Sequence, residues 1–274
     1  MPEGPEIRRA ADQVESMLRD LPLLRAWSSL PQLAALPQQL EGRRVTRIDT
    51  RGKAMLTRFD NGLTLYTHNQ LYGRWYTGPA DLQPDTGRQL RLALVTPRSA
   101  ALLYSASTIE LLSAEQVEQH PFLSRLGPDA LAPDTTLDLI LERLRERRFR
   151  GRQLGSLLTD QGFVAGLGNY LRCEILFVCE LHPSRRPLDC TPREQERLAA
   201  TIPELTRQSY QTGGVTNDPV SAKKLMAQGA TFEQARFHVY RRQGLACYRC
   251  ASPIVKSSHS GQACYHCPVC QPAD

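Results

Sequence analysis

Four cysteines near the C-terminus constrain this chain most: Cys247 and Cys250 form one Cys-x2-Cys pair, Cys267 and Cys270 another, with sixteen residues between them. Each pair can present two thiolates from one tight turn, and two such turns build a closed tetrahedral site. The spacing predicts one structural Zn2+ and a small module, 236–272, that folds around metal rather than a large core. Cys264 makes a further Cys-x2-Cys with Cys267, so the run CYHCPVC leaves one ligand choice open. Pairing of two knuckles favours 267 and 270, with Cys264 a spare thiol and His259 and His266 surplus. This clustering at one end reads as metal binding rather than oxidative bridging, and Cys173, Cys179 and Cys190 read as buried or spare thiols. From 236 to 274 there are five Lys or Arg and one acid. That module stays modestly basic after four thiolates and one Zn2+ subtract two charges, which suits phosphate without excluding a protein contact.

The rest of the chain divides by hydrophobic period. Ile7, Ala10, Ala11, Val14, Met17 and Leu18 recur at helical spacing, predicting an amphipathic helix over 5–19. From about 43 to 112 the period becomes two. RVTRIDTRGKAMLTRF, a DNG turn at 60–62, and LTLYTHNQLYGRWY read as a hairpin, with RQLRLALVTP and ALLYSASTIELL as further strands. Pro121, Gly127, Pro128 and Pro133 mark a boundary. Beyond it LDLILERLRERRF places Leu137, Ile140, Leu141 and Leu144 on one helical face, and Thr191-Pro192-Arg193-Glu194 reads as a capping box with Pro at the first helical position. Residues 211–234 read as a connector. The expected fold is α+β in two domains. A β-sandwich with a terminal helix spans 1–125, a helical domain spans 126–225, and the metal-bound module follows at 236–272.

At 274 residues the chain is long enough for two cores, and 41% hydrophobic with 23% charged residues is an ordinary globular balance. A net charge of +6 favours acidic partners. There is no run of 18 apolar residues, and residues 7–20 carry six charged side chains where a secretory signal would be apolar, so a bacterial-type cytoplasmic interior or a nuclear one, and no membrane partner, are expected.

With MPEGPE at the start, TRGKAML, HNQLYG, GLGNYLR and the C-terminal cysteine module in this order, the chain resembles the formamidopyrimidine-DNA glycosylase/endonuclease VIII family of oxidised-base repair enzymes over nearly its whole length. The resemblance implies a helix–two-turns–helix element in the second domain and a zinc finger at the end. It also implies a nucleophile. Removal of Met1 leaves Pro2 as a secondary amine, and an α-amino group titrates near neutrality, so a useful fraction is unprotonated. Its attack on a sugar carbon gives an iminium ion without a second deprotonation at nitrogen, a covalent route like that of a lysine Schiff base. Glu3 is then implied as the proton donor to the opening deoxyribose. Glu6 fits either support of that site or a first-turn acid facing the helix dipole. Lys53, on an expected strand, matches a lysine that contacts the lesion phosphate and assists proton transfer.

For the turn QLYG, the resemblance implies that Leu71 and Tyr72 wedge into the duplex when a base is flipped, while Gln70 hydrogen-bonds the orphaned partner. Asn169, in Gly166-Leu167-Gly168-Asn169-Tyr170, matches a phosphate-binding Asn at a helix start, and Arg125 matches another DNA contact. The family's finger usually carries an Arg five residues before its third Cys, which grips phosphate and takes part in δ-elimination; Gln262 stands there. The implied protein is a monomeric, zinc-containing DNA glycosylase/AP lyase acting on oxidised bases, pyrimidines first, or on abasic sites in double-stranded DNA. The alternatives are an oxidised-purine enzyme and a lesion-binding protein with impaired lyase activity.

Overall fold

The first helix, α1 (Gly4–Leu18), forms where the apolar spacing begins: Pro5 occupies its first turn, and Ile7, Ala11, Val14 and Leu18 are buried along one face. A computed structural model describes residues 2–273, and the fold divides into two units, Met1–Arg125 and Leu126–Asp274. Met1, whose removal the reading of Pro2 requires, lies outside the described residues.

The first unit is a sandwich of two antiparallel four-stranded sheets. Its strands are β1 (Arg25–Ser28), β2 (Val45–Arg51), β3 (Ala54–Phe59), β4 (Thr64–His68), β5 (Arg74–Pro79), β6 (Leu90–Val95), β7 (Ser99–Tyr104) and β8 (Thr108–Leu112), with short helices α2 (Leu36–Leu40) and α3 (Ala114–Glu118). One sheet has the order β2-β3-β4-β8 and the other β1-β6-β7-β5. One core joins α1 to both sheets: Ile7, Val14 and Leu18 pack with Met55, Leu65, Leu94 and Leu103. Each such side chain contributes roughly 1.5–3 kcal/mol by leaving water.

Arg51 pairs with Ala54, so Gly52 and Lys53 alone join β2 to β3. Gly52 has φ +59 and Lys53 does not enter the left-handed region, which makes a II′-type turn with glycine at the position that requires it. Lys53 therefore stands on a turn and not on a strand. The alternating pattern runs unbroken across 43–59 because a two-residue turn barely interrupts the period.

The second unit contains α4 (Leu137–Arg145), α5 (Leu154–Leu157), α6 (Asn169–Val178), α7 (Pro192–Gln211), α8 (Pro219–Ala227), α9 (Phe232–Ala235) and a hairpin of β9 (Val255–His259) with β10 (Gln262–His266). Thr191 and Glu194 make the expected reciprocal cap of α7: Glu194 N–H donates to Thr191 Oγ1 at 3.3 Å and Thr191 N–H to Glu194 Oε2 at 2.7 Å. Ile140, Leu141 and Leu144 face the core, whereas Leu137 at the first turn of α4 is exposed. Half of the expected connector over 211–234 is helical, as α8 and α9. Asp218 caps α8 with Pro219 at its first position, and Thr231 with Gln234 boxes α9. Only Ala222 of α8 is buried, so no apolar stripe marked it in the sequence.

Helix α6 is buried on nearly all sides and serves as the hub of this unit. Its Glu174 carboxylate accepts from Thr216 Oγ1 and from the backbone N–H groups of His238, Val239 and Tyr240 at 2.7–2.9 Å, fixing the chain as it enters the cysteine module. The same helix sends Cys173 and Phe177 into a small core with Val239, Ile254 and Cys264. At the far end of the hairpin, Ser260 and Gly261 both adopt positive φ, as a two-residue turn of I′ type demands.

Candidate active site and metal centre

Glu3, in extended backbone, is the N-cap of α1 and is buried, with Pro2 half-buried beside it. Glu3 N–H donates to Glu6 Oε2 at 3.0 Å, and the other oxygen of Glu6 pairs with Arg9 at 3.0 Å. Glu6 therefore fixes the backbone of its neighbour while standing as an acid in the first turn of α1, an arrangement compatible with both roles open to it in the sequence.

The fold brings Lys53 to this helix start. Burial pulls the Lys53 ammonium below the ordinary lysine value, and the charges of Glu3 and then Glu6 pull it back up. His68, which ends β4 opposite Ala54, belongs to the same cluster and went unassigned in the sequence. Burial and then the Lys53 charge lower its pKa. His68 Nδ1 accepts the Gln70 N–H at 3.1 Å, which puts the ring hydrogen of the neutral form on Nε2. One histidine thus links the lysine turn to the QLYG turn. The motif HNQLYG contained it, but nothing in the spacing separated it from an ordinary strand end.

In the QLYG turn, Gln70 has φ +49 and Gly73 N–H closes onto Asn69 O at 2.7 Å. A Cβ on Gly73 would stand 2.5 Å from that carbonyl oxygen, so only glycine fits. Leu71 and Tyr72 are 56% and 67% exposed, a pair of large apolar side chains held in water by the turn beneath them. The Gln70 amide is engaged: Ser107 Oγ donates to Oε1 at 2.7 Å and Nε2 donates to Thr108 Oγ1 at 2.8 Å. Arg125 closes a 3-10 turn at the end of this unit, exposed, with Nε on Pro121 O at 2.6 Å.

In the second unit, Asn169 is the first residue of α6, after Gly168 as N-cap. Its Oδ1 accepts from the fully buried Arg172, a residue the sequence did not single out. Gln262 is exposed at the start of β10.

Cys247, Cys250, Cys267 and Cys270 converge, with all four sulfurs within 4.8 Å of one another. Sγ of Cys247 lies 3.9 Å from that of Cys270, and Sγ of Cys250 lies 3.4 Å from that of Cys267. Metal–sulfur bonds of about 2.3 Å in a tetrahedron set ligand sulfurs about 3.8 Å apart, so these four fit a thiolate-bound ion. Cys264 turns away from them and faces Cys173, Sγ to Sγ 3.8 Å. Among the described residues no helix is long and apolar enough to cross a membrane.

Residues 1–106 match the formamidopyrimidine-DNA glycosylase N-terminal domain and residues 126–219 the formamidopyrimidine-DNA glycosylase H2TH domain. The chain is 47% identical over 271 residues to Endonuclease 8 of Enterobacter sp. (strain 638) and 48% identical over 271 residues to that of Klebsiella pneumoniae (strain 342), each covering 99% of this chain and 100% of the relative. It shares its fold with Lactococcus lactis Fpg in a complex with abasic-site DNA, at TM-score 0.81 and 21% identity over 98% of this chain and 99% of the other. Fpg (MutM) bound to N7-benzyl-Fapy-dG DNA is also similar, at TM-score 0.82 and 23% identity over 99% and 100%.

Proposed function

The chain belongs to the formamidopyrimidine-DNA glycosylase family, and from that premise we propose that it is a bifunctional DNA glycosylase/AP lyase that removes oxidised bases from duplex DNA, pyrimidines first. Full-length identity to Endonuclease 8 supports the pyrimidine preference. The relatives are bacterial, which fits work on DNA in the cytoplasm.

The Pro2 nitrogen attacks C1′ of a flipped nucleotide while the C1′–N bond to the base breaks and the base leaves with the electron pair. Glu3, buried beside the amine, delivers a proton to the ring oxygen as the sugar opens to the iminium ion. Loss of a C2′ proton then expels the 3′ phosphate, the β-elimination. A second elimination, at the 5′ side of the still covalent, now unsaturated iminium, would expel the 5′ phosphate and complete removal of the sugar from the strand. Water then hydrolyses the iminium and frees the amine. Lys53 holds the lesion phosphate and shuttles protons near Glu3. Leu71 and Tyr72 fill the gap left by the flipped base, and Gln70 addresses the orphaned partner once it releases Ser107 and Thr108. Arg125 and Asn169 bind backbone phosphate. Cys247, Cys250, Cys267 and Cys270 hold a structural Zn2+, which supplies folding energy to the finger and no step of the reaction. The domains run 1–125, 126–225 and 236–272.

The observation that carries this reading is the placing of Lys53 within electrostatic reach of Glu3, directly after Pro2. Borohydride trapping with a thymine glycol duplex tests it. A reduced adduct on the Pro2 peptide, read by mass spectrometry, is expected. Zinc-loaded, Met1-free protein that binds an abasic duplex yet yields no adduct would leave a lesion-binding protein without lyase chemistry.

A further inference from the structure

We propose that Arg172 is a positioning residue that turns the Asn169 amide toward phosphate and ties it to the finger hairpin, an inference that rests on the reading of Asn169 as a phosphate contact. Arg172 is fully buried. Its Nη1 donates to Gly155 O at 2.8 Å, and its Nη2 donates both to Ala263 O at 2.8 Å and to Asn169 Oδ1. A guanidinium is a donor only, so it selects the oxygen end of the amide; a reversed amide would set N–H against N–H. Nδ2 of Asn169 is left without a hydrogen bond among the described residues, at the start of a ten-residue helix. Phosphate oxygens only accept, so this is the orientation that a phosphate needs.

Ala263 follows Gln262 on β10. One guanidinium nitrogen thus joins the first residue of α6 to the finger strand, and a shift of either moves the other. Arg172 forms no ion pair among the described residues, and its Nε has no partner. His259, on β9, is pushed toward its neutral form by burial and then by the Arg172 charge. A buried cation in this state lacks its usual counter-charge. A phosphate hydrogen-bonded to Asn169 would bring one close to it.

Asn169→Asp is the discriminating variant. One oxygen keeps the guanidinium contact, now as an ion pair, while the other replaces the donor aimed at phosphate. Thermal melting and binding to a duplex with a tetrahydrofuran abasic analogue are measured together. The expected result is opposite signs: Tm rises by a few degrees while affinity falls about 100-fold, through loss of a hydrogen bond and gain of repulsion. An unchanged or lower Tm overturns the pairing. In the Arg172→Met background, Asn169→Ala is expected to change affinity less than about twofold, against about tenfold in the native background; equal effects in both overturn the positioning role. If Arg172→Met fails to fold, Arg172→Lys serves instead. The Asn169 side-chain amide signal in 15N spectra of the intact, zinc-loaded protein is expected to move in either Arg172 variant. Borohydride trapping of the native protein on an abasic duplex is run alongside. If it fails, the repair reading falls and takes this one with it. If it succeeds while Asn169→Asp binds like the native protein, the positioning role alone falls.

Discussion

Glu6 Oε2 accepts the backbone N–H of Glu3 at 3.0 Å, so the second acid of the opening MPEGPE run holds the first one in its cap. Glu6→Ala removes that acceptor and is expected to lower stability by about 1 kcal/mol, the usual worth of a cap. Base excision should fall further than stability explains, because Glu3 and Pro2 lose their common anchor. Glu6→Gln keeps an acceptor and should retain most activity. Urea melts and single-turnover excision on the same preparations separate the two effects.

Lys53 offers a pH test whose sign follows from its burial. Its folded pKa lies below the unfolded one, so burying the ammonium disfavours folding at neutral pH. The associated stability is present above the ordinary lysine range and is lost as pH falls through the lowered folded value. Lys53→Met should therefore stabilise the protein at neutral pH, with the difference from native shrinking as pH rises, while excision is lost. Because Glu6 raises the Lys53 pKa, Glu6→Gln should lower it further, which 13C-labelled lysine signals would register directly.

The cysteines separate cleanly. Cys267→Ser should reduce bound zinc from one ion per chain and abolish DNA binding, since the four converging sulfurs leave no spare ligand. Cys264→Ser should keep full zinc, because Cys264 faces Cys173 instead. Elemental analysis of dialysed protein decides. Retained zinc in Cys267→Ser with loss in Cys264→Ser would invert the ligand assignment.

What could be read from the sequence was local. The period of α1, the Thr191–Glu194 box and the two cysteine knuckles are each written within a few residues, and the family-level expectation of a sandwich followed by a helical domain rests on such pieces in order. What escaped depended on partners far along the chain. Arg172 looks like a surface arginine until Gly155 and Ala263 are brought to it, and His68 looks like a strand end until Lys53 turns toward it. Helices α8 and α9 escaped for another reason: they bury almost nothing and announce themselves only by their caps.

Leu71 and Tyr72 stand in water, so truncating them removes little native packing. Leu71→Ala and Tyr72→Ala should change stability by no more than about 0.5 kcal/mol. Excision from duplex should still slow severalfold, while cleavage of an abasic site in a single strand, where no base must be expelled, is left near native. Ser107→Ala with Thr108→Val should release the Gln70 amide and raise its dependence on the opposite base. Equal slowing on both substrates would assign the pair to general DNA binding rather than to the wedge.

On the resemblance to the family, Gln262 stands where an Arg is expected, and it is exposed at the start of β10, one residue before the carbonyl that Arg172 holds. A neutral amide there can donate a hydrogen bond but brings no charge to a phosphate. A charge-assisted contact contributes about 1.5–3 kcal/mol, roughly tenfold or more in the rate of a step that depends on it. The native protein should therefore accumulate the β-elimination product, and Gln262→Arg should shift the cleaved strand toward the δ-elimination product with little change in base release. The added cation should also steepen the fall of DNA affinity with salt. Sizing the strand ends over a time course resolves the two steps. Rapid δ-elimination by the native protein would mean that another cation, with Lys256 and Arg249 the nearest in sequence on the finger, already supplies the charge; their substitution would then slow the second step alone.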